Sequence, residues 1–169
     1  MSLPGEVATL RLRLPLVTRD ERDDMLAGRR RPRWHPDYPR EDDRDAASMI
    51  PDAGPGPWHV RHVVRAFDGL VVGTIGFFGP PTEVDGTPEA EVGFGLVEDA
   101  RGHGAATEAL RGLLGETDRL GVRVRASVRP ENAASLRVLA KCGFTGLRGS
   151  NEDGELVMVR PLAQPVVAS

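Results

Sequence analysis

An α/β fold, with a mixed, twisted sheet of six or seven strands and about four flanking helices, is predicted by three features of the sequence. Residues 8–16, 89–97 and 122–128 alternate apolar and polar side chains with the period of a half-buried strand, and residues 70–78 form a short apolar run. Residues 106–120 instead place Ala106, Leu110, Leu113, Leu114, Thr117 and Leu120 at helical spacing. The third feature is order: a strand, a glycine turn, that helix and another strand follow one another, and the helical connection is long enough for a parallel crossover.

Each element has its own justification. In residues 8–16 Leu10, Leu12, Leu14 and Leu16 fall on one face, with Arg11 and Arg13 on the other. Thr18 can cap a short helix over residues 19–27 that stops at Gly28. Residues 41–50 suit a second helix ended by Pro51. Residues 58–67 and 70–78 make an antiparallel pair across Asp68-Gly69. After Gly79-Pro80-Pro81, Asp85-Gly86 turns the chain into the strand over 89–97. Asn132 or Ala133 starts a last helix that ends at Gly143, and residues 144–148 and 155–162 close the sheet as a hairpin over the turn 151–154.

Composition narrows the class. A chain of 169 residues, 40% hydrophobic and 28% charged, suits one domain over residues 1–169. A net charge of −3 argues against a surface devoted to nucleic acid or anionic lipid, leaving a small-molecule or peptide partner. Cys142 is the only cysteine, which excludes an intrachain disulfide and a cysteine-based metal cluster; no metal site is expected. The start, Met1-Ser2-Leu3-Pro4-Gly5-Glu6, lacks the basic and apolar segments of a secretory signal, and residues 70–78 are too short to span a bilayer, so a cytoplasmic protein is expected.

Two stretches carry chemistry. Arg101-Gly102-His103-Gly104-Ala105-Ala106-Thr107 is a glycine-rich turn at the mouth of a helix, where unpaired N–H groups and the positive end of the macrodipole attract phosphate. It ends neither in the Gly-Lys-Ser/Thr of a Walker loop nor in the pattern of a dinucleotide fingerprint. In the preceding strand Val92, Phe94 and Leu96 share one face, and Glu91, Gly93 and Gly95 share the other, so a ligand could approach the backbone beside a carboxylate. Glu91 is thus a candidate general base, with Glu89 and Glu98 as competitors and a solvent-facing or salt-bridging acid as the plainer role. Residues 29–57 admit two roles: a lid lending Trp34, His35 and Tyr38 to a substrate, or a connection whose aromatics cover the core edge.

The motifs resemble those of the GNAT acetyltransferase superfamily, in the branch of RimJ/RimL-like ribosomal-protein N-terminal acetyltransferases. Its coenzyme A signature, Arg/Gln-x-x-Gly-x-Gly/Ala, is met by Arg101, Gly104 and Ala106, and its Asn-x-x-Ser followed by Gly-Phe is met by Asn132, Ser135 and Gly143-Phe144. The resemblance is strong over residues 70–144 and weak over 29–57. It implies central strands splayed into a cofactor cleft and acetyl-CoA as donor. It further implies that Gly102, His103, Gly104, Ala105 and Ala106 cradle the diphosphate, that the arm runs beside Leu96 and Val97, and that Asn132 bonds the arm. Glu91 would then take a proton from the acceptor amine, and the acetyl group would pass without an acyl-enzyme. Leu139 stands where the family often has a tyrosine acid, so Ser135 is the substitute candidate; its other role is that of a helix-start hydroxyl. Trp34 and Tyr38 are expected around the acceptor, and a homodimer is a reasonable assembly. The alternative is a degenerate acyl-CoA-binding module that has lost turnover.

Overall fold

In the computed structural model, which describes residues 2–163, the alternating stretches assemble into one mixed sheet. Met1 and residues 164–169, included in the expected domain, lie outside the described residues. The strands are β1 (Glu6–Ala8), β2 (Leu12–Pro15), β3 (Val60–Arg65), β4 (Val71–Phe77), β5 (Thr82–Val84), β6 (Thr87–Leu96), β7 (Arg123–Val128), β8 (Gly146–Ser150) and β9 (Leu156–Arg160). Their order is β1-β2-β3-β4-β6-β7-β9-β8, with β5 paired to β6. All pairings are antiparallel except β6 with β7, which the helical crossover makes parallel.

The strand count exceeds the expected six or seven for two reasons. The stretch 8–16 is not one strand: the chain turns where Thr9 bonds back to Leu12 through its N–H at 2.9 Å and its Oγ1, so β1 and β2 form a hairpin. Leu10 is lifted out of the apolar face and lies 93% exposed. The second addition is β5, which folds back on β6 across Asp85-Gly86, where both residues have positive φ.

Among the described residues four α-helices flank the sheet: α1 (Arg19–Ala27), α2 (Glu41–Ser48), α3 (Ala105–Leu120) and α4 (Ala133–Lys141). α1 keeps its predicted bounds because both ends are chemically closed. Thr18 accepts the Glu21 N–H at 3.1 Å, Glu21 accepts the Thr18 N–H at 2.9 Å, and Gly28 leaves the helix in the left-handed region. α3 buries Leu110, Leu113, Leu114 and Thr117 against the sheet; each leucine stabilises the fold by roughly 2 kcal/mol of apolar burial. Gly121 ends it in the left-handed region.

The closing hairpin is held from below by charge. Glu89 on β6 is fully buried, and its carboxylate accepts from Arg123 and Arg125 on β7 and from both terminal nitrogens of Arg148 on β8, at 2.6–2.7 Å. Burial alone would raise the Glu89 pKa; the arginines outweigh it and lower it to about 2. The arginines of β7 that alternate with valines are therefore not simply a solvated face.

Candidate functional site

The turn expected to bind phosphate follows β6 through a short 3-10 turn, Glu98–Ala100. Gly102 and Gly104 both have positive φ, 80° and 78°, a region costly to a side-chain-bearing residue. The first helical bond runs from the Glu108 N–H to the Gly104 carbonyl, at 3.0 Å. Among the described residues the N–H groups from Gly102 to Thr107 have no hydrogen-bond partner, and no side chain caps α3. His103 is exposed there. Arg101 braces the turn: its Nε donates to the Leu96 carbonyl at 3.0 Å.

β6 and β7 pair only at Glu89↔Arg123, Ala90↔Val124 and Glu91↔Arg125. β6 then runs on to Leu96 and β7 to Val128 without pairing to each other, so the two strands part after Glu91. The ladder with β4 fixes which backbone groups face the opening. The Phe78 N–H bonds the Glu91 carbonyl and the Val97 N–H bonds the Val72 carbonyl, so residues 91, 93, 95 and 97 turn their polar groups to β4. Val92, Phe94 and Leu96 turn theirs toward the gap. Leu96 thus turns its N–H toward the gap, whereas the Val97 N–H is taken by β4.

A cleft of about 540 Å³ occupies this opening. β6 contributes Val92, Gly93 and Phe94, β7 contributes Ala126, Ser127 and Val128, and α4 contributes Ser135 and Leu139, with Asn132 at its cap. Asn132 Oδ1 caps α4 by accepting the Ser135 N–H at 3.1 Å, leaving its amide nitrogen for a ligand. The capping duty expected as the alternative for the Ser135 hydroxyl thus belongs to Asn132. On the other side α2 brings Asp42, Asp45, Ala46 and Met49 to the rim.

Glu91 sits at the root of the split rather than on the cleft wall. Its Oε1 accepts from Arg125 Nε at 3.1 Å and from Ser127 Oγ at 3.3 Å. The space over the two glycines of β6 is taken by the chain itself. A Cβ on Gly93 would meet the Phe78 ring at 2.8 Å, and one on Gly95 would collide with the Arg40 guanidinium, so this face is not the open backbone approach the pattern suggested. Arg40 is in turn held by Asp43, which also accepts from Thr74 Oγ1.

Trp34 and Tyr38 require a correction. Neither lines the cleft; they are 5% and 0% exposed. Tyr38 Oη lies 2.7 Å from His62 Nδ1, and His62 Nε2 lies 3.0 Å from Glu21 Oε2. Burial pushes the Tyr38 hydroxyl well above its usual pKa. Burial also acts to raise Glu21, but the His62 contact prevails and brings it down to about 2. The segment 33–35 bonds Val71 through its backbone, and His35 Nε2 lies 2.7 Å from Asp99 Oδ2. These aromatics therefore fasten the connection to the sheet and to the approach of the phosphate turn.

A family model, "Acetyltransferase (GNAT) domain", matches residues 11–145. The chain belongs to the GNAT acetyltransferase family. Among solved structures it is similar to an acetyltransferase from Agrobacterium tumefaciens, with 22% identity, TM-score 0.63, and 94% of this chain and 95% of that one covered. It is also similar to RimJ of Mycobacterium smegmatis in complex with CoA-disulfide, at 24% identity, TM-score 0.57 and 92% and 87% coverage. A ribosomal-protein-S5-alanine acetyltransferase from Vibrio fischeri matches at 17% identity, TM-score 0.59 and 92% and 94% coverage. No curated protein matches the sequence.

GNAT acetyltransferases use acetyl-CoA, and the residues present fit it. The unpaired N–H row and the small residues Gly104, Ala105 and Ala106 suit an anion, and the parted strands of the same β6–α3 unit leave a gap. A second groove, lined by Thr9, Arg11, Gly104, Glu108, Arg111 and Lys141, continues from the turn with three cationic side chains. Sequence reasoning missed this groove, since its residues lie in the turn between β1 and β2, on α3 and its cap, and on α4, far apart in the chain. It also missed Ser127, whose polar position in an alternating strand carried no motif. Among the described residues no helix is long and apolar enough to cross a membrane, and no cluster of candidate metal ligands occurs.

Proposed function

We propose that this GNAT protein is an N-acetyltransferase that moves an acetyl group from acetyl-CoA to a primary amine by direct attack. The observation that carries this reading is an uncapped helix mouth, Gly102 to Thr107, that follows in the chain directly after the strand β6 where it parts from β7. When bound, acetyl-CoA supplies the activated thioester. The backbone from Gly102 to Ala106 holds the anionic part, Leu96 and Val97 border the arm, and the Asn132 amide donates to it. The Leu96 N–H is the donor available to a carbonyl oxygen, and Glu91 takes the proton of the amine. The Ser135 hydroxyl, on the α4 wall, is the group available to return a proton to the leaving sulfur.

The acceptor in this reading is a peptide amino terminus or a small amine. Support comes from the cleft rim, where the carboxylates of Asp42 and Asp45 form no hydrogen bond or ion pair among the described residues and would attract an ammonium group. The working location is the cytoplasm, and the assembly a homodimer.

Leu139 favours a second reading. It is apolar, 1% exposed and part of the cleft wall, at the place where the GNAT resemblance implies a tyrosine acid, as in a module that binds acyl-CoA without turning it over. Thiol release measured over a panel of peptides with free serine or alanine termini and of polyamines, alongside calorimetric coenzyme A binding, separates the two. Release of thiol with amide formation supports the enzyme; binding alone supports the module.

A further inference from the structure

We propose that Ser127 is a relay residue that carries a proton from the acceptor amine to Glu91. The inference rests on the acetyltransferase reading above and adds a group to it. Glu91 is not on the cleft wall, whereas Ser127 is. The two are joined by a hydrogen bond, Ser127 Oγ–H donating to Glu91 Oε1 at 3.3 Å. The strands part after the Glu91↔Arg125 rung, so the first residues past it on this face are Gly93 and Ser127. Gly93 has no side chain, and the Phe78 ring covers it. The Ser127 hydroxyl is therefore the polar side chain between the cleft and the carboxylate.

The other charged groups around Glu91 do not compete for this task. Arg125 faces it from β7 and donates to the same oxygen at 3.1 Å; an arginine is a donor only and cannot accept the amine proton. Glu89, two residues back on β6, is enclosed by Arg123, Arg125 and Arg148. A serine hydroxyl both donates and accepts, which a relay requires. One N–H bond of the acceptor ammonium breaks and its hydrogen passes to Ser127 Oγ, while the Oγ–H hydrogen passes to Glu91 Oε1. The nitrogen keeps the electron pair and becomes a neutral amine, the carboxylate becomes a neutral carboxyl, and the serine is unchanged. Glu91 later returns the proton to solvent by the reverse path. The 3.3 Å separation is long for O–H···O and is expected to shorten with an amine in place.

The test compares the wild type, Ser127→Ala, Ser127→Thr, Glu91→Gln and the Ser127→Ala/Glu91→Gln double variant, using the amine-terminal peptide or polyamine that the wild type acetylates best. Turnover is expected to fall about 10²-fold in Ser127→Ala and in Glu91→Gln, no further than about twofold more in the double variant, and to recover largely in Ser127→Thr. Infrared difference spectra, recorded on adding that amine with coenzyme A but no acetyl donor, read the proton itself. A protonated-carboxyl band should appear in the wild type and Ser127→Thr and be missing in Ser127→Ala and Glu91→Gln. Retention of rate by Ser127→Ala, or loss of rate with the band intact, overturns the relay while leaving the acetyltransferase reading standing. Full rate in Glu91→Gln removes the base and the relay together, and acetylation of no probe removes the acetyltransferase reading itself.

Discussion

Arg148 on β8 donates both terminal guanidinium nitrogens to the carboxylate of Glu89 on β6, at 2.6 and 2.7 Å, reaching across β9 and β7 to do so. This pair ties the closing hairpin to the strand that bears Glu91. Replacing Glu89 by glutamine leaves three arginines around a neutral group and is expected to cost about 3 kcal/mol, read as a lower urea midpoint at pH 7.

The same carboxylate sets an acid limit. Its pKa is lowered from an unfolded value near 4.5 to about 2, so its contribution is complete above 4.5 and is lost as pH falls toward 2. Glu21, also held at about 2, acts in the same window. Urea unfolding between pH 6 and pH 2 should therefore show a steep loss of stability below pH 4.5 in the wild type and a shallower one in Glu89→Gln.

Gly104→Val places a branched side chain at φ 78° in the phosphate turn. Coenzyme A affinity, measured by calorimetry, should fall at least about tenfold, and stability should drop by roughly 1–2 kcal/mol through the strained backbone. Lys141→Glu in the adjoining groove should weaken coenzyme A as well, but with little effect on stability and a loss that shrinks as salt is raised.

Asp42→Asn and Asp45→Asn remove charge from the cleft rim without touching Glu91 or the turn. Steady-state kinetics with a polyamine should show KM raised about two- to tenfold with kcat unchanged, and the difference should fade at high ionic strength.

Tyr38→Phe tests the corrected role of the aromatic connection. Losing the hydroxyl beside His62 should cost about 1 kcal/mol in unfolding and leave the acceptor KM as it was. A changed acceptor preference would return Tyr38 to the substrate site.

The sequence made most of the fold readable because local chemistry and long-range packing agree there. α1 starts and ends where its capping box and left-handed glycine require, and β7 alternates because one face is core. Leu10 misled because a hairpin turn interrupts an alternation that reads as continuous. The turn at Arg101 to Thr107 was legible as a turn, since its left-handed backbone positions are ones that glycines announce. The ionic cluster of Glu89 and the Glu91–Ser127 contact were not, because their partners are 34 to 59 residues apart and meet only through strand register. Trp34 and Tyr38 lay in an irregular segment, where sequence pattern does not reveal burial.

The proposed service of Glu91 in acetyl transfer to nitrogen is measured by turnover of wild type and Glu91→Gln with acetyl-CoA and the best amine of the panel, the acetylated product being identified by mass spectrometry. The expected result is an amide product, a fall in kcat of about 10²-fold or more in Glu91→Gln, and an unchanged coenzyme A affinity. Equal turnover by the two proteins, or tight coenzyme A binding with no amide formed by the wild type, would contradict it.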